Sequence, residues 1–174
     1  MHHKLPKEIE PFRLAQNGLT LEGQLPLSSM PRLTELLQSN EGIVDVKMAF
    51  DVDHVGTPFM HGEFKTSVSL ICERCMAPMI LDMKVDCLLA IVISERKIEG
   101  LAEQYEPWVL DNNDPVLLST VVEDELILSL PLVPRHDEAC LPDELWSTGD
   151  DFEESEKDKP VSPFAVLTDL KTKQ

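Results

Sequence analysis

Hydrophobic and polar residues alternate in three stretches of the chain. In VDVKMAFDVD (44–53), Val44, Val46, Met48, Phe50 and Val52 fall on one face, with Asp45, Lys47, Asp51 and Asp53 on the other. In FKTSVSLIC (64–72), Phe64, Val68, Leu70 and Cys72 share a face, and in MILDMKVDC (79–87) Met79, Leu81, Met83, Val85 and Cys87 do the same. A period of two with one polar face predicts half-exposed antiparallel strands. The stretch LLAIVI (88–93) is apolar on both faces and predicts a buried central strand. LTLEGQLPL (19–27) also alternates, with Leu19, Leu21, Leu25 and Leu27 in phase. Pro26 has no N–H to give a ladder, so this strand is expected at a sheet edge.

Two helices are expected. SSMPRLTELLQSN (28–40) opens with serines and a first-turn proline and stops near Asn40-Glu41-Gly42. NDPVLLSTVVEDELILSLP (113–131) offers Asp114 as N-cap and Pro115 as the first helical residue. Leu118, Val121, Val122 and Leu126 form its inward stripe, and Pro131 ends it. Residues 94–113 between them read as a long irregular excursion. No internal repeat is present. These elements add up to an α+β domain over 1–142, built on a mainly antiparallel sheet that is either open or barrel-like. An acidic, partly disordered linker (143–160) and a short apolar segment (161–174) able to dock on the domain are expected to follow.

Charge narrows the range of functions. The 174-residue chain carries a net −17, which is unevenly spread. Residues 1–100 hold 10 Lys/Arg against 14 Asp/Glu, whereas residues 101–174 hold 5 against 18. Affinity for nucleic acid comes largely from Lys and Arg displacing counterions, so such a field disfavours extensive RNA or DNA contact. An acidic extension suits a basic protein partner, or serves solubility alone. No apolar run is long enough to span a bilayer, and the start MHHKLPKEIEPF has no apolar signal core. Four cysteines without an export signal argue for reduced thiols in a cytoplasm.

Those thiols are the main candidates for chemistry. Cys72 and Cys75 in LICERCMAPM (70–79) stand at the corner between two expected strands. Two thiolates so spaced can turn to one point about 2.3 Å away, as in a zinc knuckle. RHDEACL (135–141) supplies His136 and Cys140, whose spacing is compatible with two further ligands. A Cys3His zinc site from Cys72, Cys75, His136 and Cys140 is therefore one reading. A tight turn with two reduced thiols, helped by Arg74, is another. A redox pair fits less well, because such pairs sit where a strand meets a helix N-terminus. Cys87 continues the Met83/Val85 face and reads as core.

Glu123, Asp124 and Glu125 stand in a row on the second helix. Consecutive helical residues fan out over about 200°, so a converging catalytic pair is not expected of them. A solvated face is the plainer reading, and partner binding or loop capping the alternative. His54 and His61 flank an expected hairpin tip. No phosphate-binding glycine loop, nucleophile elbow or HExxH motif is present, and nothing asks for an enzyme.

LICERCMAPM, EQYEPW (103–108), VVEDELILSLPLVPRHDEAC (121–140) and PFAVLTDLK (163–171) together resemble the bacterial YceD proteins. These are the large ribosomal RNA subunit accumulation proteins, also found in plastids. The resemblance runs from PFRLAQNG (11–18) to Lys171. It implies a small cytoplasmic protein that promotes synthesis, processing or stability of 23S ribosomal RNA, with no known catalytic activity. The residues it marks are Cys72, Arg74 and Cys75, then Glu123, Asp124 and Glu125, then Pro131, Pro134, His136 and Cys140. Some branches carry a cysteine-rich second cluster, here reduced to His136 and Cys140. Partner binding is expected of Arg74, Glu123, Asp124 and Glu125.

A ribosomal RNA role and a charge of −17 are reconciled most simply by indirect action, through contact with a basic ribosomal protein. The competing expectations are RNA contact through a local basic face (Lys47, Lys65, Arg74, Lys84) and an enzyme with a hidden site.

Overall fold

The computed structural model describes residues 5–110, 112 and 114–141. The linker and docking segment expected over 143–160 and 161–174 lie outside the described residues. In chain order the elements are β1 (Glu8–Ile9), α1 (Pro11–Gln16), β2 (Thr20–Pro26), a 3-10 turn (Leu27–Ser29), α2 (Pro31–Thr34), β3 (Ile43–Val52), β4 (Pro58–Ile71) and β5 (Pro78–Val92). A second 3-10 segment (Glu95–Gly100), β6 (Glu106–Val109), β7 (Val116–Leu117) and α3 (Leu118–Ser129) follow.

The main sheet has five strands in the order β2-β3-β4-β5-β6, and β1 pairs with β7 in a small ribbon. Every pairing is antiparallel except β5 with β6. The alternation read from the sequence sets the register. Leu21, Met48, Gly62 and Cys87 line up across four strands, as do Gly23, Val46, Phe64 and Val85. These rows form the inner face, and Val44, Met48, Phe64 and Val68 on it are almost wholly buried. Gly62 has a packing reason: a Cβ there would lie 2.7 Å from the Phe64 ring and 2.8 Å from Cys87 Sγ.

The inner face is closed by helices. Ala15 of α1, Leu33 of α2 and Leu118, Val122 and Leu126 of α3 join the same core as the strand residues. Once that layer covers the apolar face, curling the sheet into a barrel would bury little more. The sheet is open, with β2 and β6 as its edges, so the barrel-like alternative does not hold. Pro26 lies on edge strand β2, as its missing N–H requires.

Other expectations need correction. LLAIVI does not form a strand of its own but continues residues 79–87 as the far half of β5. The 28–40 helix is reduced to one turn, α2, preceded by a 3-10 turn. The chain after it is drawn off by the sheet, where Gln38 N donates to Ser69 O at 2.8 Å. The later helix begins at Leu118, so Asp114 is not its N-cap. Residues 116–117 are claimed first by the ribbon, in which Val116 faces Ile9, and Leu118 N donates to Lys7 O.

The 94–113 excursion is more regular than expected, since it carries a 3-10 segment and the parallel strand β6. It also reaches the outer face of the sheet. The ring of Tyr105 lies 5.7 Å from that of Phe59, and its hydroxyl donates to Asp53 Oδ2 at 3.1 Å. Asp53 also accepts from Val55 N and Thr57 N, which ties down the β3–β4 hairpin tip.

Candidate metal centre and the joints around it

β4 and β5 meet in a tight corner at residues 72–77. Cys72 N donates to Ala77 O at 2.9 Å, and Met76 N to Cys72 O at 2.8 Å. Closing so short a turn puts Met76 in the left-handed region, with φ of 59°. Glycine adopts that conformation freely, whereas a side chain there costs about 1–2 kcal/mol. The corner aims Cys72, fully buried, and Cys75, half-buried, to the same side.

The second half-site comes from the far end of the chain. Past α3 the backbone extends at Leu130, and residues 131–140 run back as a strap to the corner, where Glu73 N donates to Pro134 O at 2.8 Å. His136 and Cys140 then face the knuckle. One donor atom from each of Cys72, Cys75, His136 and Cys140 lies within 4.8 Å of all the others.

Two of the separations within this group match a metal shell. Around a tetrahedral zinc, bonds of about 2.3 Å to sulfur and 2.0–2.1 Å to nitrogen place two sulfurs about 3.8 Å apart, and a sulfur and a nitrogen about 3.6 Å apart. Cys72 Sγ lies 3.7 Å from Cys140 Sγ, and Cys75 Sγ lies 3.5 Å from His136 Nδ1. Three thiols and an imidazole also form the soft donor set that zinc prefers, with no fourth position left for water. Such a site is suited to holding structure and not to activating a ligand.

The electrostatics favour thiolate at two of the three cysteines. At Cys75 an Ala77 backbone contact lowers the thiol, but burial and the neighbouring Cys140 and Cys72 outweigh it and raise it. Burial opposes ionisation of the Cys72 thiol, but backbone N–H groups of Cys75, His136 and Arg74 aim at its sulfur and bring it down to about 5. Burial likewise raises the Cys140 thiol, but the Arg74 guanidinium, His136 and Cys75 beside it together outweigh this and lower it. His136, next to Cys140 and Cys72, is held more readily protonated than an ordinary imidazole. The site thus gathers negative sulfur at a point where positive charge is favoured.

Arg74, expected to meet a partner, turns onto the strap. Its Nε donates to Cys140 Sγ at 2.9 Å, and its Nη2 to the carbonyls of His136 (2.9 Å) and Glu138.

The three consecutive acids separate into three environments. Glu123 is not on a solvated face: it is 3% exposed and closes a second joint, between α3 and α2. Its Oε2 accepts from Arg32 Nε at 3.0 Å and Nη2 at 2.8 Å, and its Oε1 accepts from Leu33 N at 3.1 Å. Proline at the start of α2 and the brevity of that turn leave the Leu33 amide in need of a partner, which the carboxylate supplies. Asp124 is half exposed and pairs with Arg32 Nη1 at 2.7 Å. Glu125 is buried against the sheet, and burial, then Glu106, push its carboxyl up. Its neighbour Cys87 lies on the inner face, with a thiol that burial, then Glu125, push up to about 12. Arg32 carried no signal in the sequence, because its partner is 91 residues away.

The lysines expected to form a basic face are interleaved with acids. Lys47 binds Glu63 at 2.9 Å, Lys65 stands between Asp45 and Lys84, and Asp86 faces Glu63. His61 is in β4, with Nε2 3.1 Å from Asp86 Oδ1, and His54 lies in the hairpin turn. No described helix is long and apolar enough to cross a membrane.

Residues 60–171 match the family model described as large ribosomal RNA subunit accumulation protein YceD. A protein of that name from Haemophilus influenzae (strain ATCC 51907 / DSM 11121 / KW20 / Rd) is 33% identical over 182 aligned positions, covering 98% of each chain. The chain belongs to the YceD family. No solved structure matches it.

Proposed function

We propose that this protein is a non-enzymatic cytoplasmic factor of large-subunit biogenesis, promoting accumulation of 23S ribosomal RNA through contact with a basic ribosomal protein. The relative's name supports the ribosomal RNA role. The choice of protein contact rests on one observation, the charge of the exposed sheet face. From Glu22 on β2 to Asp86 on β5, that face interleaves six carboxylates with three lysines. Its fourth expected cation, Arg74, spends its hydrogen bonds inside the chain. A face of that balance does not follow a phosphate backbone but complements a basic surface, with a strength that falls as salt rises. Glu123 serves the fold in this reading, and Asp124 is the member of the acidic run most open to a partner.

Affinity capture from lysate, with and without RNase, tests the proposal. The same basic ribosomal proteins should be recovered in both. Loss of every partner on RNase treatment, together with loss of function on changing Lys47, Lys65 and Lys84 to Glu, would establish direct RNA contact instead. Depletion of the protein should leave 23S precursors and incomplete large subunits.

Zinc is the metal that the donor set of Cys72, Cys75, His136 and Cys140 fits best, in a structural role. Protein purified without chelators should contain one zinc per chain by elemental analysis and native mass. Metal-free protein that takes up none would refute the site.

A further inference from the structure

The strap at 131–140 is held by very little. Its residues are exposed or half-exposed throughout, so apolar burial contributes little to keeping it in place. Among the described residues, all its long-range hydrogen bonds and sulfur contacts end on residues 72–75. Three of these come from the Arg74 guanidinium alone, to Cys140 Sγ and to the carbonyls of His136 and Glu138. Arg74 lies between the two cysteines of the knuckle, and its acceptors span the two ligands of the strap.

We propose that Arg74 is the positioning residue of the metal centre. It folds the strap back so that His136 and Cys140 face the knuckle, and it offsets the charge of the filled site. The proposal rests on the zinc reading above. A divalent ion with three thiolates and a neutral imidazole carries a net charge of about −1, and the guanidinium brings the unit to neutrality. That matters in a chain of net −17. The guanidinium also suits the geometry, because its planar fork bridges a sulfur and two carbonyls at once. Lysine carries the same charge as a single point and cannot bridge them. A partner that orients a ligand commonly contributes a factor of about 10–100 to metal affinity.

The test compares full-length wild-type protein with Arg74→Met and Arg74→Lys. Each is analysed for zinc content, for zinc affinity against a chromophoric chelator, and for the sulfur-to-metal charge-transfer bands of its cobalt(II) form. Trypsin cleavage after Arg135, inside the strap, reports on strap closure in the metal-free proteins. Both variants should still bind one zinc, about 10- to 100-fold more weakly than wild type. Their cobalt bands should shift as Cys140 loses its N–H donor, and the Arg135 bond should be cut faster than in metal-free wild type. If Arg74→Met does not fold, Arg74→Lys, which keeps length and charge, carries the comparison. Affinity within twofold of wild type, with unchanged bands and cleavage, overturns the role of Arg74 and leaves the zinc reading standing. A wild-type protein that binds no zinc overturns both.

Discussion

The corner at Cys72–Cys75 and the junction at Glu123 both join distant parts of the chain, across separations of 68 and 91 residues. At Glu123 the protein completes the joint by itself. A buried carboxylate meets the Arg32 guanidinium and the Leu33 amide, so both oxygens have partners and the helices are locked to each other. At the corner the protein brings together four side chains of the kinds that ligate metals. Two pairs of ligand atoms stand 3.7 and 3.5 Å apart, spacings that a shared ion would also suit. A carboxylate can be satisfied by N–H groups from anywhere in the chain, whereas clustered thiols gain most from a metal. The first joint should therefore be insensitive to solution conditions and the second sensitive to metal supply.

Removing metal is the change expected to have the largest effect. At saturating zinc a site of this kind adds a few kcal/mol, so chelation should lower Tm by about 10 °C. Differential scanning calorimetry with and without chelator checks this, and an unchanged Tm would erase the contrast between the joints. Glu123→Ala ranks next. It leaves the Leu33 amide buried without an acceptor and should cost about 2 kcal/mol in urea unfolding, with or without chelator. Because the two joints share no residue, the chelator and Glu123→Ala effects should add. Dependence of one on the other would show that they form one unit. Met76→Gly should stabilise the protein by about 1 kcal/mol, because it relieves the left-handed turn while giving up a side chain that is 68% exposed. Asp124→Ala should be the mildest, at about 0.5 kcal/mol or less, because its pair with Arg32 is half exposed. A cost matching that of Glu123→Ala would mean that Arg32 rather than the Leu33 amide carries the helix joint.

The sheet was the most legible part of the molecule. Alternation in 44–53, 64–72 and 79–87 reports which side of a strand is buried, and the structure buries Val46, Phe64 and Val85 side by side as that pattern requires. Helix boundaries were less legible. Asp114 and Pro115 resemble the start of a helix, but the β1–β7 ribbon competes for the same backbone and delays α3 to Leu118. The metal ligands were legible as residue types with suitable local spacing within each pair, and the Cys3His group that the sequence offered as one reading does come together, although nothing local to either pair fixed that it would. Glu123 was misread for the same reason: an acid in a helical run reads as solvated until the amide and guanidinium that neutralise it are known.

Local chemistry determined what repeats along the chain or acts within a few residues. That covers the strand faces, the edge position of Pro26, the corner between the two cysteines and the net acidity of the chain. Tertiary structure decided which distant groups meet. It brought His136 and Cys140 to the knuckle, turned Arg74 onto the strap, and placed Arg32 over Glu123. Hydrophobic periodicity is written in each segment because burial acts on every side chain separately. A buried charge or thiol depends on a particular partner, and only the folded chain specifies where that partner stands.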